Sequence, residues 1–212
     1  MISFSGIDCC GKSTQINLLC EELKTQGKRY EVIWSRGGYT PGIELVKKLI
    51  RRGRTQTKEE RLAHSAQVNE SGKKRKLLFI ASLIDLWFYY SITLRVKEWF
   101  GKIVICDRYI WDTYIDFQMK YPEYAFEKGF WWRLTLKTML KPKPSIVMTI
   151  PAEVSMYRSS LKDEPFPEPI EVRQERIARY LQEIENGRWD RVIDATSSVE
   201  RVYQCIRSVV KE

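Results

Sequence analysis

Short apolar runs alternate along this chain with longer stretches in which apolar residues recur at the spacing of a helix. The short runs are rich in β-branched residues and lie at 1–5, 30–35, 102–107, 145–150 and 191–195. They are apolar on both faces, which is typical of strands buried in a parallel sheet. The longer stretches predict helices at about 12–27, 42–52, 75–100, 110–120, 128–140, 152–160, 170–186 and 198–211.

This alternation predicts an α/β fold, because parallel strands need a crossover between them and a helix usually provides it. We therefore expect a three-layer sandwich, with a five-stranded parallel sheet and helices on both of its faces. The length of 212 residues suits a single domain with one sizeable core. Three prolines in "KDEPFPEP" (162–169) predict an exposed loop between two helices.

One apolar stretch, "LLFIASLIDLWFYYSITL" at 77–94, approaches the length of a membrane span and has basic flanks. Asp85 lies at its middle, where insertion of a carboxylate costs about 2.5–3.5 kcal/mol. A helix buried between a sheet and its neighbours gives the same apolar pattern. We therefore favour a buried helix and expect no membrane partner.

The charge balance is basic, with 36 Lys and Arg against 27 Asp and Glu and a formal net charge of +9. A basic balance favours anionic partners, namely nucleotides, nucleic acid or an acidic membrane surface, without choosing among them. The five cysteines are odd in number and lack metal-ligand spacing, and the N-terminus shows no signal-peptide pattern. We therefore expect a cytoplasmic protein with reduced thiols.

The strongest local signal is "SFSGIDCCGKSTQ" at residues 3–15, where Gly6, Gly11, Lys12 and Ser13 match G-x-x-x-x-G-K-[ST]. A predicted strand precedes the motif and a predicted amphipathic helix follows it, which is the context that a phosphate-binding loop requires. Glycines let the backbone curl so that its N–H groups point at phosphate oxygens, and the helix N-terminus adds partial positive charge. The sequence therefore predicts a site for a nucleoside triphosphate.

Each residue of this loop receives an expected role. Lys12 is expected to bridge the β- and γ-phosphates, and the Ser13 hydroxyl is expected to ligate Mg²⁺. The two adjacent cysteines need only be compact, although a helix N-terminus can make a thiol reactive. The residues expected to contact the nucleotide are Gly6, Ile7, Asp8, Cys9, Cys10, Gly11, Lys12, Ser13 and Thr14.

A second signal is "VICDRYIWD" at 104–112, in which an apolar strand runs directly into Asp107 and Arg108. Ligands of open α/β sheets collect at the carboxyl ends of the strands. There Asp107 can order Mg²⁺ or its waters, and the planar guanidinium of Arg108 can reach a phosphate. A phosphate loop alone does not separate a kinase from a GTPase or an ATPase, and an Asp-Arg pair after a strand is a weak signal alone, but the two together are a strong one.

These segments together resemble the thymidylate kinase family of nucleoside monophosphate kinases over nearly the whole chain. The resemblance implies the P-loop NTPase fold in a single kinase domain over 1–212, with ATP and Mg²⁺ as cofactors. It implies that Asp8 faces the sugar of the acceptor and that Arg108 binds the acceptor phosphate. "WSRGGYTPG" (34–42) is similar to the family's Arg- and Gly-containing loop, which makes Arg36 a further acceptor-binding residue.

Two further segments resemble parts of the acceptor site and the lid. "KLLFIASL" is similar to the helix whose Phe stacks on thymine, a role that falls on Phe79. A basic loop closes over the phosphates in the family, and "MYRSSLKDEPFPEP" offers Arg158 as the catalytic cation, with Lys162 as an alternative. The lid is thus expected at about 157–170.

The chain departs from the family at Leu83, where members carry an Arg that reads the edge of thymine. Three functions therefore stay open. The first is a kinase that transfers the γ-phosphoryl group of ATP to a (deoxy)nucleoside monophosphate, and the second is a kinase of the same lineage with another small-molecule or nucleic-acid-end acceptor. The third, a regulatory protein without activity, fits poorly with the intact Lys12 and Asp107. Nucleic acid is the less favoured partner, and a homodimer is the expected assembly if the protein is not a monomer.

Overall fold

The protein is described by a computed structural model that covers residues 1–35, 72–162 and 168–211, apart from the side chains of Lys73 and Lys74. Within these ranges the strands are β1 (Ile2–Gly6), β2 (Tyr30–Trp34), β3 (Ile103–Asp107), β4 (Ser145–Thr149) and β5 (Arg191–Asp194). Their bounds agree with the prediction to within one residue. The described helices, numbered in chain order, are α1 (Lys12–Thr25), α2 (Gly72–Phe88), α3 (Leu94–Trp99), α4 (Ile110–Lys120), α5 (Phe130–Thr138), α6 (Ala152–Ser160), α7 (Ile170–Glu185) and α8 (Val199–Lys211).

The five strands of the described residues form one parallel sheet in the order β2-β3-β1-β4-β5. Because β1 lies between β3 and β4, its carboxyl end meets theirs at one edge. Phe4 is aligned with Asp107 on one side, and Gly6 is aligned with Met148 on the other. The predicted α/β class with a five-stranded parallel sheet is confirmed.

The chain divides into two compact units. The first comprises Met1–Arg36, Val96–Glu123 and Lys141–Glu212, and it contains the sheet. Its core consists of side chains from the sheet and from the helices that pack on it, among them Phe4, Ile16, Ile105, Ile146 and Ile206. Helix α1 contributes Ile16, Leu19 and Leu23 at helical spacing, which explains its amphipathic sequence.

The second unit comprises Gly37–Arg95 and Tyr124–Leu140. Its described core is aromatic: Phe79 of α2 packs on Tyr124 and Phe126, and Phe126 packs edge-to-face on Trp132 of α5. Trp87 donates a hydrogen bond from Nε1 to the hydroxyl of Thr138 at 3.1 Å. These contacts join α2 to the short 3₁₀ turn Phe126–Lys128 and to α5.

The predicted helix at 75–100 is longer and less regular than expected. It begins at Gly72, and a π-helical turn at Tyr89–Thr93 separates α2 from α3. By length and composition alone, Arg75–Trp99 could cross a membrane, a property that buried core helices share. Leu83, Leu86 and Tyr90 are buried, but Leu77, Phe88 and Trp99 are exposed, so the segment that was expected to be a buried helix is buried on only part of its surface.

Several predictions fall outside the described residues. The helix at 42–52 and Arg36 lie there, as do residues 163–167 within the predicted lid. The assignment of one domain with a lid at about 157–170 stays a prediction.

Candidate active site

The phosphate loop (residues 6–14) leaves the carboxyl end of β1 in a conformation that glycine makes accessible. Gly6 has a φ of 135°, and a Cβ there would lie 2.3 Å from the carbonyl oxygen of Met148 in the neighbouring strand. Gly11, with a φ of 98°, occupies the N-cap of α1. Cys9 adopts a left-handed φ of 61° between them. These positive φ angles let the loop turn sharply between the end of β1 and the first residue of α1.

Lys12 begins α1 and folds its side chain back over the loop. It is only 7% exposed. Its ammonium group donates hydrogen bonds to the carbonyl oxygens of Gly6 and Ile7 at 2.9 and 2.8 Å, and it lies 3.6 Å from the sulfur of Cys10. These contacts hold the positive charge inside the loop.

Arg108 follows β3 and reaches the same loop from the neighbouring strand. Its backbone is left-handed, with a φ of 74°, a conformation that costs a non-glycine residue about 1–3 kcal/mol. The guanidinium donates to the carbonyl of Gly6 at 3.2 Å and forms an ion pair with Asp8. Burial acts to lower the pKa of Arg108, but neighbouring acidic groups raise it by more, so the group stays charged.

Asp107 is the last residue of β3 and presents a carboxylate with an unused acceptor. Its Oδ1 atom is buried and has no hydrogen-bond partner. Burial raises the pKa of this carboxyl above its ordinary value, while Lys12 and Arg108 act in the opposite direction. A buried carboxylate oxygen without a hydrogen-bond partner, beside cationic groups, is typical of a site that binds a ligand.

These groups lie around a cavity of about 190 Å³. It is lined by Asp8, Cys9, Gly11, Lys12, Ser13, Thr14, Trp34, Asp107, Arg108 and Lys162. The structure thus brings together most of the residues that the sequence assigned to the nucleotide, the metal and the acceptor phosphate. Trp34 also lines the cavity and was not predicted, because nothing in its local pattern distinguishes it from an ordinary strand residue.

Other predicted residues lie elsewhere. Arg158 lines a second cavity of about 300 Å³ beside Cys9, Cys10 and Thr14, and it donates to the carbonyl of Ala195 at 3.0 Å. Phe79 and Leu83 are 3% and 5% exposed in the second unit. Their assigned contacts with a substrate stay predictions.

A buried pair, Asp112 and Tyr180, was not predicted from the sequence. The Tyr180 hydroxyl donates to Oδ1 of Asp112 at 2.5 Å, and the same oxygen lies 3.5 Å from the Arg108 guanidinium. Asp112 ends the segment "VICDRYIWD", but Tyr180 is 68 residues further along the chain. Only the fold reveals that the two side chains meet.

A phosphate loop at the carboxyl edge of a parallel sheet, with a lysine and an arginine on its first carbonyl, defines a nucleotide-binding protein of the phosphate-loop class. Comparison with known proteins agrees. The profile of the thymidylate kinase family, described as "Thymidylate kinase", matches residues 4–206.

Individual relatives match over nearly their full length. A thymidylate kinase of Symbiobacterium thermophilum is 31% identical, with 100% of this chain and 92% of the relative covered. A thymidylate kinase of Bartonella henselae is 29% identical, with 98% and 93% covered. A probable thymidylate kinase of Thermococcus onnurineus is 29% identical, with 99% and 96% covered. The chain belongs to the thymidylate kinase family, and the predicted class of enzyme, a nucleoside monophosphate kinase, is confirmed.

Proposed function

We propose that this protein transfers the γ-phosphoryl group of ATP to a nucleoside monophosphate, with the donor on the phosphate loop and the acceptor phosphate at Arg108. One observation carries the proposal: the carbonyl oxygen of Gly6 accepts hydrogen bonds from both Lys12 and Arg108. The lysine expected at the donor and the arginine expected at the acceptor therefore converge on one peptide group.

On the donor side, backbone N–H groups of the loop and the N-terminus of α1 would bind the phosphates. Lys12 is held by carbonyl oxygens of the loop. It can exchange these neutral partners for phosphate oxygens, which form stronger, charge-assisted hydrogen bonds. Its charge would then oppose the negative charge that spreads over the transferring group.

The residues present fit Mg²⁺. Asp107 offers a buried oxygen without a partner, and the Ser13 hydroxyl lines the same cavity. Both are oxygen ligands of the kind that Mg²⁺ prefers. Among the described residues there is no cluster of three or more His, Cys, Asp or Glu that could hold a metal ion. Bound Mg²⁺ would neutralise charge on the donor phosphates.

On the acceptor side, Arg108 is buried, and the carboxylates of Asp8 and Asp112 lie beside its guanidinium in this structure. A dianionic phosphate would compete with the Asp8 carboxylate for the guanidinium, leaving Asp8 able to accept a hydrogen bond from a sugar hydroxyl. The acceptor oxygen is already anionic, so the transfer needs no general base. In this arrangement the phosphates of ATP and the phosphate of the acceptor would lie on either side of the Gly6 carbonyl group.

The second cavity supplies space for the rest of the donor. It begins at the phosphate loop and ends at Ala195 and Ser197 of the β5–α8 connection and at Val199, the first residue of α8. Arg158 and Lys162 line it, and Lys162 lines the first cavity as well. We propose that one of these two cations closes on the phosphates during transfer, as a lid residue would.

The identity of the acceptor is the finer part of the proposal. Relatives are named thymidylate kinases, which favours a thymidine nucleotide. Leu83 favours a second candidate, a relaxed or altered acceptor preference. A buried apolar side chain cannot read the polar edge of a base, and an apolar site discriminates by only about 10–200-fold per small group.

The test is release of ADP from ATP in the presence of thymidylate, uridylate, deoxycytidylate, deoxyguanylate and non-nucleotide phosphates. We expect measurable transfer to at least one nucleoside monophosphate, with thymidylate no better than several others by kcat/KM. Leu83→Gln, which adds a polar head without burying a charge, should change the ranking, whereas Leu83→Met should not. Absence of transfer to every nucleotide would contradict the proposal.

The expected cytoplasmic location is supported by the cysteines. All five are free, including Cys10, Cys20 and Cys106, which are buried. Burial raises the pKa of Cys106 to about 12, so this thiol stays protonated and unreactive. We therefore propose that the protein acts where thiols are kept reduced.

A further inference from the structure

Asp112 lies in the first turn of α4 and is 1% exposed. Its Oδ2 atom accepts hydrogen bonds from the backbone N–H of Tyr109 at 3.0 Å and from the hydroxyl of Ser5 at 2.5 Å. Its Oδ1 atom accepts from the N–H of Gly6 at 3.3 Å and from the hydroxyl of Tyr180 at 2.5 Å. Every contact is with a donor, so the carboxylate is fully engaged.

Helix capping explains only one of these contacts. An acidic residue at the third helical position commonly accepts from the N-cap backbone, and the bond from Tyr109 is of this kind. Capping does not require burial, and it does not require partners from β1 and α7. Ser5 and Tyr180 are 107 and 68 residues from Asp112 in sequence. Asp112 therefore joins three elements at a single point.

The partners of Asp112 are the groups that arrange the two halves of the site. Gly6 carries the carbonyl on which Lys12 and Arg108 converge, and Asp112 fixes the N–H of the same residue. The Arg108 guanidinium lies 3.5 Å from Oδ1 of Asp112 and 3.5 Å from the Tyr180 hydroxyl. Arg108 also has a strained, left-handed backbone, which the surroundings must hold in place.

We propose that Asp112 and Tyr180 are positioning residues that fix Arg108 and the start of the phosphate loop relative to each other for phosphoryl transfer. The inference rests on the proposed function, because it takes Arg108 as the residue that meets the acceptor phosphate. It goes beyond that function in assigning a task to two residues that would touch neither nucleotide.

The chemistry requires a carboxylate at position 112. An asparagine has the same shape, but its NH₂ group would face one backbone N–H, which would lose its acceptor, and one hydroxyl, which would have to turn and accept. Unsatisfied donors in a buried site are costly, so the local structure would shift to relieve them. Burial, and then the charge of Asp112, raise the pKa of Tyr180 well above its ordinary value. Its hydroxyl consequently keeps its proton and stays a donor.

Substitutions of Tyr180 and Asp112 should have different kinetic effects. Tyr180→Phe removes one hydroxyl beside Arg108 and leaves the Gly6 contacts intact, so it should raise the KM of the acceptor about 10-fold and change the KM of ATP less than 2-fold. Asp112→Asn disturbs Gly6 as well, so it should raise both KM values and lower kcat. Loss of packing alone would not produce this split.

Asp116→Asn is the matched control. Asp116 lies one turn further along α4, is buried, and pairs with Arg176. Its loss should lower the melting temperature, without raising the KM of the acceptor more than that of ATP.

The experiment measures both KM values, kcat and the melting temperature for the wild type, Arg108→Ala and these three variants. A selective effect of Tyr180→Phe on the acceptor supports the inference, even if Asp112→Asn does not fold. If Arg108→Ala raises the acceptor KM but Tyr180→Phe behaves like Asp116→Asn, the inference is wrong and the proposed function stands. Absence of transfer by the wild type, or an Arg108→Ala variant with an unchanged acceptor KM, contradicts the proposed function itself.

Discussion

Gly6 and Met148 approach each other so closely that position 6 has no room for a side chain. A Cβ on Gly6 would lie 2.3 Å from the Met148 carbonyl oxygen, a backbone atom that cannot move without disturbing β4. The phosphate loop thus begins at the last residue that pairs with β4. Its path is set by this contact as well as by the positive φ of Gly6.

The first prediction concerns this contact. Gly6→Ala should destabilise the protein by at least about 3 kcal/mol, because backbone strain and overpacking add at one position. Gly27→Ala is the control, since Gly27 also has a positive φ (67°) but open space around it. It should cost about 1 kcal/mol. Chemical denaturation measures both, and equal losses would show that the Met148 contact contributes nothing.

Much of the fold could be predicted because its signals are local. Buried strands are apolar on both faces, and the phosphate loop has a fixed spacing of glycines, lysine and serine. The strands and the loop could therefore be recognised from the sequence. The interactions of Asp112 were not, because Ser5 and Tyr180 are distant from it in the chain and no sequence pattern pairs the three residues. The π-helical turn at Tyr89–Thr93 likewise has no signature in composition.

The second prediction concerns Glu22, which joins α1 to α8. It accepts a hydrogen bond from the Tyr203 hydroxyl at 2.8 Å and pairs with Arg207 at 2.9 Å. The Tyr203 bond first, and then Arg207, lower the pKa of Glu22 below its ordinary value of 4.5, although burial acts the other way. A lowered pKa means that the folded state favours the charged carboxylate.

Glu22 should therefore stabilise the protein above pH 4.5, and this contribution should disappear as the pH falls through its lower folded-state pKa. Glu22→Gln is expected to lose about 0.5–1 kcal/mol at pH 7 and nothing near the acid limit of folding. Denaturation at several pH values measures the difference. Glu21→Gln, at an exposed neighbour, serves as control. A deficit of Glu22→Gln that did not depend on pH would contradict the electrostatic origin.

The third prediction concerns Asp107. Asp107→Asn retains the shape of the side chain and removes the charge that would attract Mg²⁺, so the concentration of Mg²⁺ needed for half-maximal activity should rise at least about 10-fold. The same variant should also fold at least as stably as the wild type, because it removes a buried carboxylate whose raised pKa reports an unfavourable environment. An unchanged Mg²⁺ requirement would assign the metal to other residues.

The central claim is that Lys12 serves the donor and Arg108 the acceptor, although both donate to the carbonyl of Gly6. Initial rates over a grid of ATP and acceptor concentrations test it most directly, with folding of each variant checked by circular dichroism. Lys12→Ala should lower kcat at least about 100-fold, as expected when a main electrostatic stabiliser of the transition state is lost. Arg108→Ala should raise the KM of the acceptor about 10–100-fold and change the KM of ATP less than about 3-fold. Equal effects of Arg108→Ala on both substrates, or a Lys12→Ala variant with most of its turnover, would contradict the account.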